Sequence, residues 1–391
     1  MAAFSQDDHR HMARALRLAE QGLYTSDPNP RVGCVLACGA TLLGEGFHRR
    51  AGEAHAEVNA LFAASEHARG ATAYVTLEPC SHTGRTGPCA RALVDAGVAR
   101  VVVAMTDPNP QVSGRGVALL EAAGIRVEVG LMCEQAQRLN PGFIARMTRK
   151  RPFVRLKMAM SLDGRTAMKS GESQWITGPD ARSHVQRLRA RSSAILSGVE
   201  SIIMDDSRLT LRAEQLGLYN AAEVAQRQPL RVIVDTHLRM PRAAACLREP
   251  GRTLVVTVDA ENAGHAAEKR AALENAGAEV VTLAASAEGR VDLAALMAHL
   301  ARAEEVNELL LETGATLAGA MLDAGLIDEL WLFMAPTLLG TGARGLFALL
   351  GLERMAEQRR LQIHDIRAVG QDFRIIASPL ATSAAGDTKV P

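Results

Sequence analysis

Aromatic side chains are scarce, at 3% of 391 residues with 2 tryptophans and 3 tyrosines, and net charge is almost absent, +1 from 44 basic and 43 acidic residues. Single-stranded nucleic acid is held by interleaved rings and a basic face, so no nucleic-acid partner is expected. Cysteine is also sparse: 6 residues in so long a chain do not make a disulfide framework, which points to a reducing compartment. No run of about 18 apolar residues occurs to span a membrane, and the start M-A-A-F-S-Q-D-D-H-R lacks the apolar segment of a secretion signal. A cytoplasmic protein without a membrane partner is expected. No G-x-G-x-x-G follows a strand, so the Rossmann fingerprint is missing as well.

What is present is concentrated in one stretch. It reads H-A-E at 55–57 and E-P-C-S-H-T-G-R-T-G-P-C at 78–89. Zn²⁺ favours thiolate and imidazole in a tetrahedral set, and a catalytic zinc keeps three protein ligands and leaves the fourth position to water. His55, Cys80 and Cys89 supply that set, and Glu57 is a better proton carrier than fourth ligand. H-x-E, then P-C, then C is the layout of zinc deaminases, which attack a ring carbon bearing an amino group. Here eight residues separate the two cysteines where two are usual. A structural zinc is one alternative, though it would want a fourth ligand. His82 in place of His55 is another, though it has no partnered Glu.

A length of 391 residues suggests two or three domains. Apolar residues at Met12, Ala15, Leu16 and Ala19 predict a helix over 8–21. D-P-N-P at 27–30 cannot continue a helix or a central strand, so Asn29 belongs in a loop of fixed shape. Residues 32–37 and 41–46 predict a hairpin around Gly39, and a polar loop with His48 leads to a helix from His55 to about 67. Strands are expected at 71–77, 98–104 and 125–129, with helices opening near Cys89 and at 116–123. Two helix starts would then face one metal, and helix amides favour thiolate. The expected product is an α/β domain with helices on both faces of a mostly parallel sheet. D-P-N-P recurs at 107–110, by chance or as a second loop over the same pocket. From 132 to 151 one helix broken at Pro141-Gly142 is expected, and the basic run Arg146, Arg149, Lys150, Arg151 reads as a solvated linker, with nucleic-acid contact as the lesser alternative.

N-P-x-V-G at 29–33, H-A-E at 55–57 and T-L-E-P-C-S-H-T-G-R-T-x-P-C at 76–89 resemble the deaminase domain of the bifunctional riboflavin-biosynthesis deaminase–reductases, the RibD family. The long cysteine gap is that family's own. Gly87 stands where the family would lead one to expect proline. The resemblance implies a zinc-dependent, cytidine-deaminase-like αβα domain that acts on 2,5-diamino-6-ribosylamino-4(3H)-pyrimidinone 5′-phosphate and releases ammonia from ring C2. Glu57 would move the protons, Asn29 and His48 would hold the ring, and His82, Thr83 and Arg85 would reach the ring edge or the phosphate.

The second half reads as another α/β domain. Strands are expected at 152–159, 194–197, 230–235, 254–258, 279–283, 308–312 and 329–335, and helices at 179–191, 261–276 and 293–302. Residues 337–344 read as a surface loop. Glu312-Thr313-Gly314-Ala315-Thr316, where a strand yields to a helix, could receive phosphate or be ordinary helix capping. K-x-x-x-S-L-D-G at 157–164, S-Q-W-I-T at 173–177, D-D-x-x-L-T-x-R at 205–212 and E-T-G at 312–314 resemble the reductase domain of the same family. That resemblance implies a dihydrofolate-reductase-like fold and NADPH. Asp205 would assist reduction, with Asp206 left open. Ser173, Arg189, Leu209, Arg212 and Glu312 would bind substrate, the two arginines as phosphate partners. Lys157, Ala159, Trp175, Thr177, Asp205, Gly314, Ala315 and Thr316 would meet the cofactor. The expected organisation is a deaminase domain over 1–147, a reductase domain over 148–382 and a disordered tail over 383–391, in a homo-oligomer acting on a small phosphorylated pyrimidine.

Overall fold

The computed structural model describes residues 4–81, 87–110, 112–259 and 263–380; the expected tail lies outside them. Contacts divide the chain into two units. One runs to Pro152 and includes Ala301–Asn307, and the other comprises Phe153–Leu300 and the residues from Glu308 onward. Among the described residues no helix is long and apolar enough to cross a membrane.

The first unit opens with α1 (Gln6–Glu20). The Ser5 hydroxyl accepts from the Asp8 amide and the Asp8 carboxylate accepts from the Ser5 amide, so two helix-end donors are satisfied reciprocally. The Asp8 carboxylate also receives the Tyr74 hydroxyl at 2.8 Å and the Arg100 guanidinium at 2.6 Å, which ties the start of α1 to the sheet. Strands β1 (Gly33–Cys38) and β2 (Thr41–Phe47) pair as a hairpin turning at Gly39, whose φ of 55° suits a residue without Cβ. Then come α2 (Ala56–Ala64), β3 (Thr72–Val75), α3 (Cys89–Asp95), β4 (Arg100–Val103), α4 (Arg115–Ala122), β5 (Arg126–Val129), α5 (Cys133–Leu139) and α6 (Pro141–Arg149).

The sheet order is β2-β1-β3-β4-β5. Only β3, β4 and β5 run parallel, and β1 is antiparallel to both neighbours, so the expected mostly parallel sheet is half antiparallel. The hairpin reverses β2 against β1, and the crossover through α2 returns β3 in the direction of β2 on the other side of β1. Alternate strand residues face opposite sides. Leu36, Val75 and Val103 pack with Ala60 of α2, Leu93 of α3 and Leu120 of α4. Val35, Tyr74 and Val102 pack with Met12 of α1 and Ala136 of α5. A Cβ on Gly33 would lie 2.0 Å from the Ala15 carbonyl oxygen, so glycine there lets α1 lie directly on β1.

Residues 132–151 break where expected: α5 ends at Leu139 and Pro141 opens α6, since a proline at the first position has no amide hydrogen bond to lose. Half of the basic run is helix rather than linker: Arg146 and Arg149 lie in the last turn of α6, where the helix dipole favours cations, and Lys150 and Arg151 follow it.

The second unit contains β6 (Phe153–Ser161), β7 (Arg165–Ala167), α7 (Pro179–Arg191), β8 (Ala194–Gly198), α8 (Val199–Asp205), α9 (Ala221–Ala225), β9 (Leu230–Val234), α10 (Ala245–Arg248) and β10 (Thr253–Val258). It continues with α11 (Ala263–Asn275), β11 (Glu279–Leu283), α12 (Leu293–Arg302), β12 (Glu308–Glu312), α13 (Ala315–Asp323), β13 (Glu329–Ala335), β14 (Arg344–Gly345), β15 (Leu361–Val369) and β16 (Asp372–Pro379). Nine strands form one sheet in the order β11-β10-β9-β8-β12-β6-β13-β16-β15. From β11 to β13 every pairing is parallel, and β16 and β15 add an antiparallel edge that the sequence did not announce. β10 is buried along its whole length, as a strand covered on both faces must be. β15 is exposed at nearly every position and so lacks the alternation that identifies a half-buried strand.

Candidate active sites

In the first unit three elements bring the expected metal ligands together. His55 caps the start of α2, Cys89 is the first residue of α3, and Cys80 follows β3. Their ligand atoms all lie within 4.8 Å of one another. His55 Nδ1 is 3.2 Å from Cys89 Sγ and 3.7 Å from Cys80 Sγ. Tetrahedral zinc, with Zn–S about 2.3 Å and Zn–N about 2.0 Å, spaces such donors by about 3.6 Å, so the set fits the ion. The Cys80 thiol is pulled down to about 4, first by its hydrogen bond with Cys89 and then by His55, against burial. Cys89 is pushed up by that same partner and by burial. The two thiols are shifted in opposite senses by the proton they share, and a bound cation would favour thiolate at both.

Glu57 is 3% exposed. Burial pushes its carboxyl up to about 7, with the nearby Cys80 adding to the rise and the backbone and His55 opposing it. A carboxyl poised there can take and return a proton near neutral pH. Asn29 and His48 sit together, Asn29 Nδ2 lying 3.0 Å from His48 Nε2. Burial holds His48 toward its neutral form. The hydrogen-bond network then assigns the proton to Nδ1, which faces the Ala54 carbonyl at 3.2 Å, and leaves Nε2 to accept from Asn29. The His48 and His55 rings meet edge to face at 5.2 Å, so this pair flanks a metal ligand. His82, Thr83 and Arg85 lie outside the described residues.

In the second unit a cavity of about 550 Å³ opens on the three adjacent strands β8, β12 and β6. Lys157 and Ala159 of β6 line it, as do Ser173, Trp175 and Thr177 of the loop before α7. Arg189 of α7, Asp205 at the end of α8, and Leu209 and Arg212 of the following loop also line it. So do Glu312 at the end of β12 and Gly314 and Ala315 at the start of α13; Thr316 is not among the lining residues. The neighbouring aspartates separate cleanly. Asp205 Oδ1 accepts from the Ser173 hydroxyl at 3.3 Å, while Asp206 Oδ1 accepts from the Ala245 amide at 2.8 Å, away from the lining.

Arg189, expected as a phosphate partner, lines the cavity and is paired within it. It donates Nε and Nη2 to the two Glu312 oxygens at 2.6 and 3.0 Å, and Nη1 to the Thr210 carbonyl at 2.7 Å. Three of the five guanidinium N–H donors are thus used within the protein. Burial raises the Glu312 carboxyl, but Arg189 and Lys157 outweigh burial and hold it below its ordinary range. Burial in turn lowers Lys157, which Glu312 opposes.

Two sequence families match the chain. The cytidine and deoxycytidylate deaminase zinc-binding region matches residues 5–105, and the RibD C-terminal domain matches residues 152–375. Riboflavin biosynthesis protein RibD of Escherichia coli is 48% identical over 93% of this chain and 97% of its own, and that of Haemophilus influenzae is 45% identical over 97% and 99%. Acinetobacter baumannii RibD superposes with a TM-score of 0.87 at 45% identity, covering 96% of this chain and 99% of its own. The chain belongs to the RibD family.

Within the RibD frame the zinc-binding region takes in His55, Cys80, Cys89 and Glu57, and the C-terminal region takes in every cavity residue above. The expected order, an α/β deaminase domain followed by an α/β reductase domain, holds. Sequence reading missed two cationic groups of the cavity, Arg182 and Arg344. Arg182 lies 4.9 Å over the Trp175 ring and donates to the Thr177 carbonyl at 2.8 Å. Its signal was available: Arg182, Gln186 and Arg189 fall at i, i+4 and i+7 of one helix and share its face. Arg344 had no local signal. It stands in the segment read as a surface loop and reaches the cavity because β14 pairs with β7, whose residues lie far away in sequence.

Proposed function

We propose that the chain performs two consecutive reactions on one phosphorylated pyrimidine. The first unit removes a ring amino group by hydrolysis, and the second reduces the ribosyl side chain with NADPH. The observation that carries this reading is the zinc-fitting triad of His55, Cys80 and Cys89 beside buried Glu57, in one chain with the separate cavity of the second unit. A Thermotoga maritima relative, 30% identical over 96% of this chain and 99% of its own with a TM-score of 0.79, is named as a diaminohydroxyphosphoribosylaminopyrimidine deaminase/5-amino-6-(5-phosphoribosylamino)uracil reductase. The substrate proposed here is accordingly 2,5-diamino-6-ribosylamino-4(3H)-pyrimidinone 5′-phosphate, and the final product 5-amino-6-ribitylamino-uracil 5′-phosphate.

Zinc, when bound by His55, Cys80 and Cys89, supplies the Lewis acidity that makes water nucleophilic near neutral pH. Glu57 takes one proton of the attacking water and delivers it to the ring nitrogen, then takes the proton of the new C2 hydroxyl and passes it to the amine, which leaves as ammonia while the C2 carbonyl forms. Asn29 and the neutral His48 orient the ring beside His55. In the second unit NADPH, when bound, would supply the hydride that C1′ of the ribosyl group gains as its bond to O4′ breaks and O4′ takes up a proton. Asp205 would serve that proton transfer, and Ser173 fixes the Asp205 carboxylate by its hydrogen bond. Arg212, with Arg182 and Arg344, offers the cavity's guanidinium charge to phosphate. The start of α13 offers amides at Gly314, where nothing lies within 4 Å of the position a Cβ would take, so a ligand has room.

A coupled assay tests the whole reading. Ammonia release from the diaminopyrimidine phosphate should proceed without NADPH, and NADPH oxidation should require the deaminated product. Deamination with no oxidation under any supply of product would leave the second unit without its proposed activity.

We further propose self-association through the β15 edge. Ile363 and Ile366 are 56% and 57% exposed on that terminal strand. Exposed isoleucines on the terminal strand of a sheet, whose outer backbone groups face no neighbouring strand among the described residues, invite another strand or sheet. Sedimentation should find an oligomer that Ile363→Lys with Ile366→Lys converts to monomer; a monomeric parent ends this proposal.

A further inference from the structure

Glu78 is a buried carboxylate wholly occupied by backbone donors. It is 3% exposed. Its Oε2 accepts from the amides of Asp107 and Gly114, both at 3.0 Å, and its Oε1 from those of Gly116 at 2.8 Å and Val117 at 3.3 Å. Four donors fill the lone-pair sites of one carboxylate, and charge-assisted bonds of this kind are the strong ones. The donors belong to the second D-P-N-P loop, the turn after it and the first turn of α4, so the repeated tetrapeptide is moored two residues before Cys80. The same segment also touches the Cys80 turn directly: a Cβ on Gly116 would lie 2.0 Å from the Pro79 carbonyl oxygen.

The three metal ligands are not held alike. His55 and Cys89 are fixed by the starts of helices, whereas Cys80 lies in neither helix nor strand. Its backbone is steadied by the Glu78 amide donating to the Met105 carbonyl at 3.0 Å and the Ala90 amide donating to the Cys80 carbonyl at 3.1 Å. We infer that Glu78 is a positioning residue of the metal centre: its carboxylate ties the 107–117 segment against the Glu78–Cys80 turn and thereby holds Cys80 Sγ at ligand distance from His55 and Cys89. This rests on the zinc reading of that centre. Glutamine at this position would turn an NH₂ toward amides that need an acceptor, and aspartate would be a methylene too short to reach both sets of donors.

The test compares zinc-loaded full-length parent, Glu78→Gln, Glu78→Asp and Tyr74→Phe. Tyr74→Phe removes the hydroxyl bond to Asp8 in the same unit, so it lowers stability without touching the Glu78 contacts. Zinc release to a chromogenic chelator is followed beside melting temperature, deamination kinetics and reduction. Glu78→Gln and Glu78→Asp should release zinc about 10- to 100-fold faster than the parent, the range usual for losing a group that orients a metal ligand. Deamination kcat should fall with them, and reduction should stay at the parent's rate. Tyr74→Phe should melt earlier yet keep its zinc as the parent does. If Glu78→Gln does not accumulate as folded protein, the aspartate variant decides. Parent-like zinc release in a folded Glu78 variant overturns the inference, and so does accelerated release in Tyr74→Phe matching its loss of stability. A parent without stoichiometric zinc defeats the zinc reading itself, and this inference with it, and is recognised before any variant is made.

Discussion

Replacing Glu57 with Gln is expected to lower the deamination kcat by about a thousandfold, within the range for losing a general acid–base group. The substitution keeps size and shape, so the buried site, 3% exposed in the native protein, need not repack. What it removes is the ability to carry a proton. Glu57 is suited to that task because burial, more than any neighbour, brings its carboxyl up to about 7. Zinc should remain bound, since the triad of His55, Cys80 and Cys89 is complete without Glu57. Reduction of the authentic deaminated product should continue at the parent's rate. The measurements are ammonia release, NADPH oxidation with product supplied, and zinc content of the same preparation. Deamination surviving within about tenfold would remove Glu57 from its role. Loss of both activities with zinc and fold intact would contradict two separate sites.

Glu312→Gln should have the opposite selectivity. In the native cavity the Glu312 carboxylate faces the Arg189 fork and compensates the nearby Lys157. Without it Arg189 and Lys157 lose the carboxylate that offsets both, at a position whose side chain is 11% exposed. Breaking a buried ion pair by removing one partner costs about 3–5 kcal/mol. The cost should fall near the lower end, because Lys157, already lowered by burial, can shed its proton. Arg189 would lose its two anchoring acceptors, and a displaced cavity wall costs about a hundredfold in reduction. Deamination should be unaffected. The pH dependence follows from sign. The native Glu312 carboxyl sits below its ordinary value, so its contribution to stability is fully present above the unfolded pKa of about 4.3 and is lost as pH falls through the native value. Urea titrations read by tryptophan fluorescence, both tryptophans being in the second unit at 175 and 331, should show that acid-side loss in the parent and a smaller one in the variant. Identical slopes would show that Glu312 is not held low.

Much of the deaminase site is written in short segments. His55 and Glu57 are two residues apart, and Cys80 and Cys89 open and close one motif, so residue type and local spacing suffice to name them. The central strands are equally plain, because burial on both faces imposes the apolar runs 254–256 of β10 and 309–311 of β12. Substrate class came only from resemblance to the RibD family, since spacing of zinc ligands says nothing about which ring is bound.

What the sequence alone determined, then, was the metal chemistry, the buried strands and the order of two α/β domains, because each depends on residues close together in the chain. The tertiary structure alone decided how distant charges are used. Nothing near Arg189 in sequence announces Glu312 as its partner; β12 brings the two together. Asp205 and Asp206 are indistinguishable neighbours until the end of α8 turns one toward the cavity and the other to Ala245. Glu78 reads as part of a cysteine motif until the loop from Asp107 delivers its amides to the carboxylate. A buried charge must find its partner wherever the fold supplies one, and sequence separation places no limit on where that is.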